Sequence, residues 1–121
     1  MSEVNSGFDE NSIKLEVERQ SKMLRLRVKD AINNQKNHVL RLFEDGFISE
    51  SNKNTLICSV YSASVTISTL VEMFESANIQ TEFQLKKYIM AINDAISSFN
   101  TGITEEINLT IENSKEDNIT I

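Results

Sequence analysis

The residues best equipped for chemistry in this chain are few, and their spacing does not suit it. His38 is the only histidine and Cys58 the only cysteine. A catalytic triad needs an orienting partner for its base, and a zinc site needs several ligands at short fixed spacings. No HExxH occurs, and no cysteine lies near His38 in sequence. On a helix His38 falls at the edge of an apolar stripe, where a half-buried or surface histidine is the simplest reading. Cys58 lies off the seam of its helix and beyond the first turn, so a helix N-terminus does little to lower its pKa. It reads as a small apolar filler. Glu44, Asp45 and Glu50 cluster in one turn, but a calcium loop needs oxygen ligands at alternating positions. Asp45-Gly46-Phe47-Ile48 interrupts that pattern with two apolar residues. The segment reads as a helix end with exposed acids, Phe47 and Ile48 tucking beneath the bundle as a plug. The three glycines lie far apart, so no phosphate-cradling loop is present. The expectation is a non-enzymatic protein with no catalytic residue, no cofactor and no metal ligand.

Recognition chemistry is better represented. Residues 19–41 carry Arg19, Lys22, Arg25, Arg27, Lys29, Lys36 and Arg41 against Asp30 alone, a net +6 that leaves −12 for the rest of a chain whose total is −6. At about 100° per residue, Lys22, Arg25, Lys29 and Lys36 fall within about 60° of one another and form a basic stripe. Leu15, Leu26 and Leu40 fall within an arc of about 40°, roughly opposite the apolar stripe of the same helix. The simplest reading makes the cations a solvated flank paired with acids of the third helix, and the leucines singly exposed residues. The functional reading makes these seven residues a docking surface for an acidic partner protein or a second copy. Phosphate could also be held by such cations, but the other helices are acidic and no aromatic residue interleaves the stripe for base stacking.

These positions presuppose helices, and the periodicity predicts three. Ile13, Val17, Leu24, Val28, Ala31, Gln35, Val39 and Leu42 share one side of a first helix over about 12–45, with Ser12 as a cap and Gly46 as the left-handed stop. Leu56, Val60, Ala63, Ile67, Leu70, Phe74 and Ala77 repeat at heptad-like steps in a second helix over about 50–77, capped by Ser49 or Ser51. Thr81-Glu82-Phe83-Gln84 is a capping box opening a third helix over about 82–113. Its seam is Leu85, Ile89, Ile92, Ile96, Phe99, Ile103 and Ile107, widened by Tyr88 and Ala95. Tyr61, Ala63, Val65 and Ile67 alternate with Ser62, Ser64, Thr66 and Ser68, which is also a strand period. The stretch still fits the heptad and has no bounding turn residue, so helix is preferred. The Ser and Thr side chains on the outer faces of the second helix suit either solvent or the close approach of another helix. Residues 1–11 read as a disordered lead-in and 114–121 as a disordered acidic tail.

The totals fit this plan. The 121 residues make one domain, with 40% hydrophobic residues, no proline and no tryptophan. A sandwich or barrel would need more turn formers. A single cysteine excludes an internal disulfide scaffold and suits a reducing compartment. No run of about 18 apolar residues marks a membrane span, and the polar, acidic N-terminus lacks the features of a signal peptide. Asn108-Leu109-Thr110 and Asn118-Ile119-Thr120 match glycosylation acceptors, which mean little without export.

The resulting expectation is an all-α, coiled-coil-like antiparallel three-helix bundle, cytoplasmic and able to dimerise. It acts as a small regulator, adaptor or chaperone that binds a protein partner through the first helix. The alternative is a nucleic-acid-associated regulator using the same basic stripe.

Overall fold

The computed structural model describes the backbone of residues 10–120 and the side chains of residues 11–115. Three helices follow in order: α1 (Glu10–Glu44), α2 (Glu50–Ser76) and α3 (Glu82–Thr120). Each packs against both others, and no strand occurs among the described residues. The strand-like alternation around Tyr61 to Ile67 is therefore helical.

The turns follow from local chemistry. Gly46 takes a φ of +85°, its amide donates to the Phe43 carbonyl at 3.1 Å, and the Phe47 amide donates to the Leu42 carbonyl at 2.9 Å. That pair of bonds is a Schellman ending, which absorbs the orphaned carbonyls of α1. Ser49 then caps α2, its hydroxyl accepting from the Asn52 amide at 3.1 Å. At α3 the Thr81 hydroxyl accepts from the Gln84 amide at 3.1 Å, while the Gln84 side chain accepts from the Thr81 amide at 3.3 Å and the Gln80 amide at 2.8 Å. Both halves of the capping box are made.

The seams meet in one core. Leu24, Val28 and Val39 of α1, Leu56, Val60, Ile67 and Phe74 of α2, and Leu85, Ile92, Phe99, Ile103 and Ile107 of α3 are buried together. Phe74 and Tyr88 pack as a tilted ring pair with centroids 5.8 Å apart. Gln35 occupies its seam position and donates to Asn100 Oδ1 at 3.2 Å, leaving its own Oε1 buried without a partner. Ser64, buried on α2, donates back to the Tyr61 carbonyl at 2.7 Å, the local bond by which a serine satisfies itself inside a helix.

Several expectations need correction. α1 begins before Ser12, at Glu10, so that serine lies inside the helix. Of the expected lead-in 1–11, residues 10 and 11 are helical and the others lie outside the described residues. α3 does not stop at residue 113 but continues to Thr120. Neither Gly nor Pro follows Asn113 to interrupt it, and Asn52 of α2 donates to the Ser114 hydroxyl at 3.3 Å. Ile121 lies outside the described residues. Only Ile48 plugs the bundle end, since Phe47 is 58% exposed.

Candidate partner-binding surface

The seven residues singled out on α1 divide by environment. Leu15 is 67% exposed and Leu26 60%, both facing away from the core as their wheel positions require. Leu40 is only half-buried, not freely exposed. It lies about 40° from Leu26 around the helix, on the side turned toward α2. Lys22, Arg25 and Lys29 are exposed and Lys36 is half-buried.

The cations are not held as the sequence suggested. The expected acids of α3 pair with none of these four among the described residues. Arg25 instead reaches α2, donating through Nε and Nη2 to the Glu75 carboxylate at 2.5 Å each. These bonds hold the Glu75 carboxyl below its ordinary value and raise the Arg25 guanidinium. Arg27 donates to Asn93 Oδ1 of α3 at 2.9 Å. Arg19 is bound to Glu16 one turn back, and bonds from Arg19 and Gln20 lower the Glu16 carboxyl. Lys22, Lys29 and Lys36 make no ion pair among the described residues. Within the stripe, they are the cations available to another molecule.

Beside them runs a groove between α1 and α2 of about 340 Å³. Val28, Ile32 and Val71 line it among apolar residues, with Arg25, Lys29 and Ser68 among the polar ones. The arrangement can take an apolar side chain into the groove, with Lys29 on the α1 side to pair an acid and Glu72 on the α2 side to keep that acid on α1.

The residues considered for catalysis are not assembled into a site. His38 and Cys58 are both exposed, on different helices, and neither makes a hydrogen bond among the described residues. Cys58 is therefore no core filler. No group of three His, Cys, Asp or Glu side chains is placed to hold a metal ion among the described residues.

Sequence reasoning gave too little weight to the outer face of α2. Tyr61, Val65 and Met73 are exposed there, 49%, 62% and 55%. From Asn54 to Val71 no residue is charged. By length and composition α2 is the one helix among the described residues that could cross a membrane, although it is not a run of purely apolar residues. The signal was the missing charge, which alternating serines and threonines disguised as ordinary polarity.

Fold and surface define an all-α three-helix bundle with a leucine-and-lysine face on α1 and an uncharged face on α2. No family model matches the chain, and neither the curated proteins nor the solved structures compared with it give a match.

Proposed function

We propose that the protein is a non-enzymatic interaction protein, a small regulator, adaptor or chaperone, that binds an acidic amphipathic helix of a partner protein along the outer face of α1. The observation that carries this is the exposure of Leu15 and Leu26 on the same helix as Lys22 and Lys29, which have no carboxylate partner among the described residues. Exposed leucines supply apolar anchors, and free lysines supply charge complementarity that steers and orients an acidic ligand. The α1–α2 groove gives one anchor side chain a place to enter, as in helix-in-groove recognition. A cytoplasmic setting belongs to the same reading, since Cys58 is an exposed free thiol that a reducing compartment would preserve.

The nucleic-acid alternative has weaker support. Of the stripe, Arg25 is already engaged by Glu75, leaving Lys22, Lys29 and Lys36 for phosphate.

The direct test compares proteins retained from native lysate by the wild type, by Leu15→Glu with Leu26→Glu, and by Lys22→Glu with Lys29→Glu. All four positions are exposed, so helicity by circular dichroism should be unchanged. A partner held by the wild type should be lost from both variants, and its binding should weaken with salt. Equal retention by all three proteins would remove α1 as the surface. A salt-sensitive shift of labelled DNA or RNA, lost in the lysine variant, would favour the alternative.

A further inference from the structure

We propose that the outer face of α2 is the self-association surface of this protein, where a second copy docks α2 against α2 about a two-fold axis. Three observations converge on this face. The first is pattern. Cys58, Ser62, Val65 and Thr69 are all exposed and follow steps of 4, 3 and 4, a heptad-spaced line of short side chains across the helix from its buried stripe. Tyr61 and Met73 flank it with exposed apolar surface. A soluble bundle needs one apolar stripe per helix, and α2 adds exposed Tyr61, Val65 and Met73 outside its own. The short side chains of Ser62, Val65 and Thr69 leave room for another helix axis at about 8–10 Å.

The second observation is charge, and it selects the occupant. A two-fold contact sets each residue near the axis against its own copy. Centred on α1, it would oppose Lys22, Lys29 and Lys36 to themselves. Centred on the outer side of α3, it would oppose the exposed Asp94, Glu105 and Glu112 to themselves. Like charges so placed destabilise an interface. Between Lys53 and Glu72, α2 has none to oppose, in a chain that is 25% charged with a net charge of −6. An unrelated acidic or basic partner would find nothing there to orient it, whereas a copy needs only a surface complementary to itself.

The third observation is extent. The uncharged stretch of α2, residues 54–71, is about 27 Å long at about 1.5 Å per residue. A strip about 20 Å wide, including the groove rims beside the helix, supplies about 540 Å² per copy, so two copies bury a little more than the roughly 1,000 Å² that a specific interface needs. One such rim is the α2–α3 groove of about 480 Å³, lined in part by Ser59, Ser62, Ser98 and Gly102, where the one carboxylate, Glu106, accepts from the Ser59 hydroxyl at 2.6 Å.

A lipid bilayer fits the same face less well. Leu56, Val60, Ile67, Val71 and Phe74 are already buried in the bundle, so crossing a membrane would require the bundle to open. The outer side meanwhile offers the hydroxyls of Ser62, Thr66 and Thr69.

The test is light scattering of the full chain from micromolar to millimolar concentration. The wild-type mass should rise from 13.7 kDa toward twice that value. Val65→Glu with Thr69→Glu, both exposed positions, should hold the monomer mass with unchanged helicity. Leu15→Glu with Leu26→Glu should still double. A wild type that remains monomeric throughout overturns the proposal, as does a dimer that survives Val65→Glu with Thr69→Glu. Loss of the dimer only in the α1 variant would move the contact to α1 and overturn it too. So would a monomer that floats with phosphatidylcholine vesicles, which would assign the face to a membrane. Because the α1 variant is read by partner capture and the α2 variant by mass, either reading can fail alone.

Discussion

α1 and α2 contribute to one core through seams of the same period, yet they turn opposite chemistries outward. The outer side of α1 alternates leucines with cations, whereas the middle of α2 carries no charge at all. Both helices would satisfy any requirement for a folded bundle with a generic polar exterior. The contrast therefore points to what each exterior meets. A charged face with apolar anchors suits a ligand of opposite charge, attracted over a Debye length of about 8–10 Å and weakened by salt. A neutral face suits contact with its own copy, where charge would repel.

Contrasting the two sides of α2 gives the largest expected effect. Phe74 is fully buried against Tyr88, so Phe74→Ala should cost about 3–5 kcal/mol. Val65, on the exterior of the same helix, is 62% exposed, and Val65→Ala should change monomer stability by no more than about 0.5 kcal/mol. Denaturant midpoints of the two variants at low protein concentration check this. Equal losses would mean that the outer face is supported by the bundle itself and is not free to bind.

Much of this architecture is legible in the amino-acid sequence, for identifiable reasons. Heptad steps found the core because burial imposes the helical period on Leu24, Ile67 and Ile103 alike. Gly46 and the Thr81–Gln84 pair were readable because helix ends demand particular partners for orphaned backbone groups. The end of α3 was missed because the absence of a stop signal is weaker information than its presence. Phe47 was misplaced because a turn gives two neighbouring side chains different directions, and only Ile48 points inward. The candidate site was legible only as angles on a wheel. Sequence placed Leu15, Leu26 and Leu40 on one arc, but helix packing decides how much of each remains open, and Leu40 lies on the α2 side. The pairing of Arg25 with Glu75 joins residues 50 positions apart, a register that the period of a single helix does not encode. The strand-like alternation around Val65 came from a helix with apolar residues on both its inner and outer sides.

Gly102 offers a smaller but sharper probe of the groove beside α2. It lies in the interior of α3, on the groove beside α2, and a Cβ placed there would meet nothing within 4 Å. Glycine inside a helix costs roughly 0.5–1 kcal/mol relative to alanine. Gly102→Ala should therefore stabilise the monomer by about that amount, seen as a raised thermal midpoint in dilute solution. If a second copy reaches across this groove, the added methyl should weaken the dimer in the same variant. Destabilisation of the dilute monomer would show that the groove is closed from within.

The Arg25–Glu75 pair gives the smallest effect and touches both faces at once, since it ties the basic stripe of α1 to the flank of α2. Hydrogen bonds from Arg25 hold the Glu75 carboxyl below its ordinary value of 4.5. Folded Glu75 thus binds a proton less readily than unfolded Glu75, so ionisation favours the fold. That contribution is present in full above the unfolded value and is lost as pH falls through the lower folded value. Glu75→Gln should be slightly less stable than the wild type at neutral pH, and the two stability curves should converge in acid. A gap that persists unchanged in acid would mean that packing, not charge, links the two helices there. The same substitution frees Arg25 to join Lys22 and Lys29, so an acidic partner should bind α1 more tightly. The mass of the α2 dimer should stay as it is.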